Sequence, residues 1–192
     1  ITTPGQQNPV VADTLTLFTS MFLHGGLAHL FGNMYFLYLF GDNVEEKMGE
    51  LSFLFFYLAT GLIAGLAHIA TNPDSTVPAV GASGAISGVL GAYLVMFPRA
   101  SIRTIIMFGF ITVVDVSALF FLGFWFLGQL MEGVGSLITP EGVGIAFWAH
   151  IGGFVAGAIL ALVWPKDPRV PTEYDDIGRG FHRYDRDDRR WY

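Results

Sequence analysis

Four stretches of this chain, roughly 27–45, 51–70, 117–137 and 145–164, are almost continuously apolar, and a fifth, roughly 83–97, is apolar but shorter. A helix needs about 20 such residues to cross about 30 Å of hydrocarbon. A chain built this way has no soluble fold that could bury every run, so it reads as an all-α polytopic membrane protein with five spans. Composition agrees: 53% of the 192 residues are hydrophobic, 14% are charged, and the mean hydropathy is +0.53. These values lie outside the range of ordinary soluble domains.

The charges sort the runs by side. Lys47 lies between the first two spans, Arg99 and Arg103 follow the third, and the other seven of the ten Lys and Arg residues follow the last. The opposite loops (1–26, 71–82 and 138–144) carry none of them. The side rich in Lys and Arg is cytoplasmic by the positive-inside rule, which places 1–26 as an extracytoplasmic loop leading to the first span. Residues 27–164 then form the membrane domain. Residues 165–192 form a polar cytoplasmic tail whose mixed charges predict disorder. The apolar stretch 102–131 is too long for one span. Splitting it near Asp115 leaves "SIRTIIMFGFITVVD" (101–115) at the interface, where β-branched residues around Gly109 predict a small hairpin. Asp115 then sits at the cytoplasmic boundary. The chain begins at Ile1 with no signal-peptide pattern, so a fragment or a processed form is expected. It contains no cysteine, which excludes disulfides, thiolate metal sites and a cysteine nucleophile.

Against this background "PAVGASGAISGVLGAYLVMFP" (78–98) is unusual. A helix opens on a small-residue turn holding Ser83 and continues through Gly84, Gly88 and Gly91, although each glycine costs about 1 kcal/mol against alanine. Pro98 and Pro165 mark the cytoplasmic ends of the third and fifth spans. Ser83 lies 15 residues before the first and His150 lies 15 before the second. At 1.5 Å per residue both sit about 22 Å above the inner face, at one common depth. His29 and Asn33, spaced i, i+4 on one face of the first span, bracket a similar level. Gly84, Gly88 and Gly91 form one small-residue stripe, and Ala149, Gly153 and Gly157 form another beside His150. Such faces let helix backbones approach closely, which predicts Ser83 within hydrogen-bond reach of His150.

Serine becomes a useful nucleophile when a neighbouring base takes its proton, and neutral histidine suits that task near pH 7. A tetrahedral intermediate needs donors at its oxyanion. The unpaired backbone N–H of Ser83 at a helix start can serve, and so can the side chains of His29 and Asn33. Each residue also has a plainer reading. Serine in a membrane helix usually bonds back to a carbonyl one turn earlier, and Ser87 keeps that reading. "GASGA" is not the G-x-S-x-G hydrolase elbow. His24 and His29 lack the H-E-x-x-H pattern, and no carboxylate lies near them, so no metal is expected.

"HGGLAHLFGNMYFLYLFGDNVEEKMG" (24–49), "GASGAISGVLGAYLVMFPRA" (81–100) and "AHIGGFVAGAILAL" (149–162) together resemble the rhomboid family of intramembrane serine proteases. The resemblance runs from about 17 to 164. It implies a Ser83–His150 dyad with no acidic third member, and an oxyanion hole from His29, Asn33 and the Ser83 N–H. It also implies a structural role for His24 near the site, a turn around the nucleophile shaped by Gly81 and Gly84, and close helix approach at Gly153 and Gly157. The family has a six-helix core whose first helix precedes the "HGG" segment. With 26 residues before Leu27, five of the six spans are expected in this chain. The family's Trp-Arg pair is absent from "TLTLFTS" (14–20), and Ser87 stands where some relatives place an aromatic residue against the histidine.

The resemblance implies transmembrane segments of other proteins as substrates, unwound locally and cut near the extracytoplasmic face of the lipid bilayer. No cofactor, metal or nucleic-acid partner is expected, and the sequence carries no signal for oligomeric state. The competing reading is a catalytically silent relative that binds membrane clients, which the presence of both Ser83 and His150 disfavours. A transporter would show internal repeats, and comparison of the two halves gives none.

Overall fold

The computed structural model describes residues 9–71, 73, 80–107, 109, 111–138, 145–165, 184–185 and 190–191. Six helices run in the order α1 (Pro9–Ser20), α2 (Leu27–Met48), α3 (Glu50–Thr71), α4 (Ser83–Met96), α5 (Ala118–Ile138) and α6 (Phe147–Val163). Strands β1 (Ser101–Met107) and β2 (Ile111–Ser117) lie between α4 and α5. Two-residue strands β3 (Tyr184–Asp185) and β4 (Arg190–Trp191) pair within the tail. The rest of the tail lies outside the described residues, as does most of the 71–82 loop.

Helix boundaries follow local chemistry. Gly49 ends α2 by returning its N–H to the Glu45 carbonyl at 2.7 Å, and its own carbonyl accepts the Phe53 N–H at 2.8 Å. One residue therefore turns the chain from α2 into α3. Pro98 lacks a backbone N–H and stops α4 just after Met96. The predicted hairpin is present: β1 and β2 are antiparallel, with Arg103 opposite Asp115. Their side chains pair at 3.2 Å while both remain exposed, so the ion pair contributes little. Asp115 accordingly lies on this hairpin and not inside the helical body.

The stretch 1–26, read as a loop, contains α1. Pro9 occupies the first helical position, where its fixed φ suits a helix start. Beyond the end of α1, Met21 is buried against Gly61 of α3, and Leu17 meets Gly65 one turn further along. These contacts hold α1 and its end against α3.

α4 is the central helix. Ten consecutive residues, Gly84 to Tyr93, are buried. Six of the ten are Gly, Ala or Ser, and their small size lets α2, α3 and α6 close around α4. Toward the far end from Ser83 the packing turns to large side chains: Phe40, Val44, Phe56, Leu90, Tyr93, Leu122 and Phe154 form one core. Phe40 meets the edge of Tyr93 at 5.0 Å, and Phe126 stacks on Phe154 at 4.5 Å. The outer faces are apolar as well, with Phe31, Tyr38, Phe55, Phe124 and Leu162 exposed. Among the described residues, α3 and the Ala118–Leu137 part of α5 are long and apolar enough to cross a membrane, and α4 and α6 are shorter apolar helices.

Candidate active site

The α4–α6 contact builds the site. A Cβ on Gly153 would collide with the Gly84 carbonyl oxygen, one on Gly157 with the Gly88 carbonyl oxygen, and one on Gly91 with the Phe154 carbonyl oxygen. Residue numbers rise together along both helices, so α4 and α6 run parallel in a constant register. The stripes do not simply face each other, however. Gly84 and Gly88 present their carbonyls to α6, while their missing side chains leave room for Ala64 and Thr60 of α3. Thr60 donates its hydroxyl back to the Phe56 carbonyl at 3.0 Å, so the oxygen that packs beside Gly88 is already satisfied within α3.

That register brings the serine and the histidine together. Ser83 is the first residue of α4, His150 lies in the first turn of α6, and Ser83 Oγ is 2.8 Å from His150 Nε2. Ser87 donates its hydroxyl to the Ser83 carbonyl at 2.7 Å, one turn back, and plays no part in the pair.

The other side of the imidazole has a partner that sequence reasoning missed. His150 Nδ1 lies 2.7 Å from Oε1 of Gln129, on α5. Trp125, one helical turn before Gln129 and on the same face, packs its ring against the imidazole with centroids 6.2 Å apart. An uncharged amide amid the apolar run "ALFFLGFWFLGQLMEGVGSLI" was the available signal. An aromatic support for His150 is thus present, on α5 instead of at Ser87.

His29 and Asn33 approach from α2. The Gly25 N–H donates to His29 Nδ1 at 3.3 Å, which leaves the proton of the neutral ring on Nε2. That Nε2 edge faces Gly81, where a Cβ would sit 2.9 Å from it and 3.5 Å from Asn33 Nδ2. Gly81 has φ +126, a conformation that side-chain-bearing residues rarely adopt, so both backbone angle and space require glycine here. Its N–H is held by the Ser20 carbonyl at 2.9 Å, tying the end of α1 to the turn before Ser83.

Asn33 is buried, and its Nδ2 has no hydrogen-bond partner; the same is true of His24 Nε2. A buried donor left unpaired costs about 1–3 kcal/mol, a cost expected where a group awaits a ligand. The His24 ring meets that of His29 edge-on at 5.3 Å, which places His24 behind His29. Gly84 lies within the first turn of α4. Its Cβ position is 2.7 Å from the Ala64 methyl, so it packs α4 against α3 beside the turn made by Gly81.

Among the described residues no group of acidic, histidine or cysteine side chains could hold a metal ion. What the constellation offers is a hydroxyl bonded to an imidazole, with two side-chain donors and a helix N-terminus close by.

Comparison with known proteins gives this arrangement its context. The family model described as Rhomboid domain matches residues 12–166. Rhomboid protease GluP of Bacillus subtilis is 35% identical over 152 residues, covering 78% of this chain and 26% of that protein. Putative rhomboid protease YdcA of the same organism is 40% identical over 80 residues, covering 42% of this chain and 40% of its own length. Rhomboid-like protein 11, chloroplastic, of Arabidopsis thaliana is 29% identical over 160 residues, covering 82% and 55%. The chain thus spans between about a quarter and about half the length of these relatives. The match covers α2 to α6 in full and most of α1, and the chain belongs to the rhomboid family of integral membrane proteins.

Proposed function

We propose that this protein is an intramembrane serine protease in which Ser83 and His150 hydrolyse peptide bonds in or near transmembrane segments of other proteins. The observation that carries this reading is the 2.8 Å contact between Ser83 Oγ and His150 Nε2 at the start of two parallel helices. Ser83 donates its proton to Nε2 as Oγ attacks the scissile carbonyl carbon. The resulting oxyanion is received by the Ser83 backbone N–H, His29 Nε2–H and Asn33 Nδ2–H. Imidazolium then protonates the leaving amine, and the C–N bond breaks to give an acyl-enzyme. His150 next takes a proton from water, hydroxide adds to the ester carbon, and Ser83 leaves with its proton restored.

The same reading assigns residues 27–164 to a membrane domain of five spans, 1–26 to the extracytoplasmic side and 165–192 to the cytoplasm. The distribution of all ten Lys and Arg residues supports that orientation. A transmembrane substrate shields its peptide bonds within its own helix. It must unwind at the extracytoplasmic end to reach Ser83.

A fluorophosphonate probe tests for an activated serine. Detergent-solubilised wild type becomes labelled, and both Ser83→Ala and His150→Ala abolish labelling. A folded wild type that stays unlabelled contradicts the dyad and favours a client-binding relative.

The unpaired amide of Asn33 makes a second prediction with opposite signs for activity and stability. Asn33→Leu removes one oxyanion donor, which lowers kcat by about 10²–10³-fold. It also removes a buried unsatisfied group, so the melting temperature holds or rises. Steady-state cleavage and thermal melting of one preparation check both.

A further inference from the structure

We infer that Gln129 is a positioning residue for His150: its side-chain oxygen takes the Nδ1 proton and so leaves Nε2 bare toward Ser83. The inference deepens the protease reading and rests on it for its kinetic consequences.

The argument begins with the two tautomers of neutral imidazole. Only the ring protonated at Nδ1 presents a lone pair to Ser83, and only that form can accept the hydroxyl proton. The alternative puts the proton on Nε2, where it donates to Oγ and blocks general-base catalysis. Nothing in the Ser83 hydroxyl chooses between them, because it can donate or accept equally well. The choice is made on the far side of the ring. There Gln129 Oε1 lies 2.7 Å from Nδ1, and a carbonyl oxygen accepts but cannot donate. With the amide turned this way, Oε1 toward the ring, Nδ1 carries the proton.

The same contact serves the charged intermediate. When Nε2 takes the serine proton, the Nδ1–H···Oε1 bond becomes charge-assisted and strengthens. Stabilisation that grows toward the transition state raises kcat and leaves substrate binding unchanged. Gln129 touches no substrate-facing atom in this scheme; it acts through His150 alone.

α5 grips the imidazole at two points. Trp125 packs on the ring, with centroids 6.2 Å apart, and Gln129 bonds its edge. Two contacts from one helix fix both the ring plane and its rotation about χ2. The dyad is then a three-helix device, with the nucleophile on α4, the base on α6 and the orienting amide on α5.

The test compares wild type, Gln129→Met and Gln129→Glu, with selective ¹⁵N labelling of the five histidines and assignment of His150 by loss of its signals in His150→Ala. In the resting wild type the His150 signals report a proton on Nδ1 and a bare Nε2. Methionine fills similar space but accepts poorly, so in Gln129→Met that preference disappears. In proteoliposomes with a single-pass reporter substrate, kcat then falls by about 10- to 100-fold, with KM changed by less than about twofold. Glutamate retains the acceptor, and Gln129→Glu keeps the Nδ1–H form and most of the wild-type rate.

A wild-type spectrum with the proton on Nε2 overturns the inference. So does a Gln129→Met protein with unchanged kcat, or one in which kcat and melting temperature fall together while Gln129→Glu fails to restore the rate. A wild type that cleaves nothing contradicts the protease reading instead, and the resting-state spectra still decide the role of Gln129.

Discussion

Gly157→Ala is expected to slow cleavage by about 10²-fold and to lower the melting temperature, although residue 157 lies two turns of helix from His150. The added Cβ falls on the Gly88 carbonyl oxygen. Backbone atoms lie on both sides of this contact, so no flexible side chain can yield, and α4 and α6 must part by about 1 Å or more. Overpacking of this kind costs about 1–3 kcal/mol. The larger consequence is catalytic, because Ser83 and His150 sit at the ends of these same two helices. A displacement of about 1 Å entering a reacting geometry can cost about 10²-fold in rate. Gly123→Ala is the control: a Cβ there meets nothing within 4 Å, so it leaves both activity and melting unchanged. Cleavage assays and thermal melting of the two variants separate close approach from a general intolerance of alanine.

The largest kinetic effect is expected from His150→Ala, which removes the only base in contact with Ser83 among the described residues. Proton transfer by a positioned side chain contributes about 10²–10⁴-fold, and the Ser83 hydroxyl alone is a weak nucleophile. kcat should fall by about 10³-fold or more, with KM little changed because the imidazole holds no substrate group in the scheme above. Ser83→Ala should fall as far, and the double variant no further, since groups that act as one unit give non-additive losses. Additive losses in the double variant would mean that the two side chains work independently.

Much of the site could be read from residue spacing, and the reason is geometric. Ser83 and His150 each precede a proline by 15 residues. Counting therefore placed them at one depth, and α4 and α6 do run parallel in constant register. The i, i+4 spacing of His29 and Asn33 likewise set both on the face of α2 that meets Gly81. The hairpin at 101–117 was legible from its β-branched residues and Gly109. What spacing cannot encode is the rotation of one helix about its axis relative to another. For that reason Gln129 and Trp125 were invisible as partners of His150, since α5 carries no counting relation to α4 or α6. The same limit hid the division of labour along α4, where Gly84 and Gly88 make room for α3 side chains while α6 approaches their carbonyls. α1 was missed for a local reason. "PVVADTLTLFTS", at 12 residues, is too short to read as a span, and its helix is held by packing of Leu17 and Met21 on glycines of α3.

The measurement that bears most directly on the central claim is cleavage of a single-pass substrate co-reconstituted with the protein in liposomes, with both products sized by mass spectrometry. The account predicts two fragments from wild type whose masses sum to the substrate plus one water, with the cut near the extracytoplasmic end of the segment. Ser83→Ala yields none. Fragments identical in yield from wild type and Ser83→Ala, or an intact substrate beside folded wild-type protein, would contradict it.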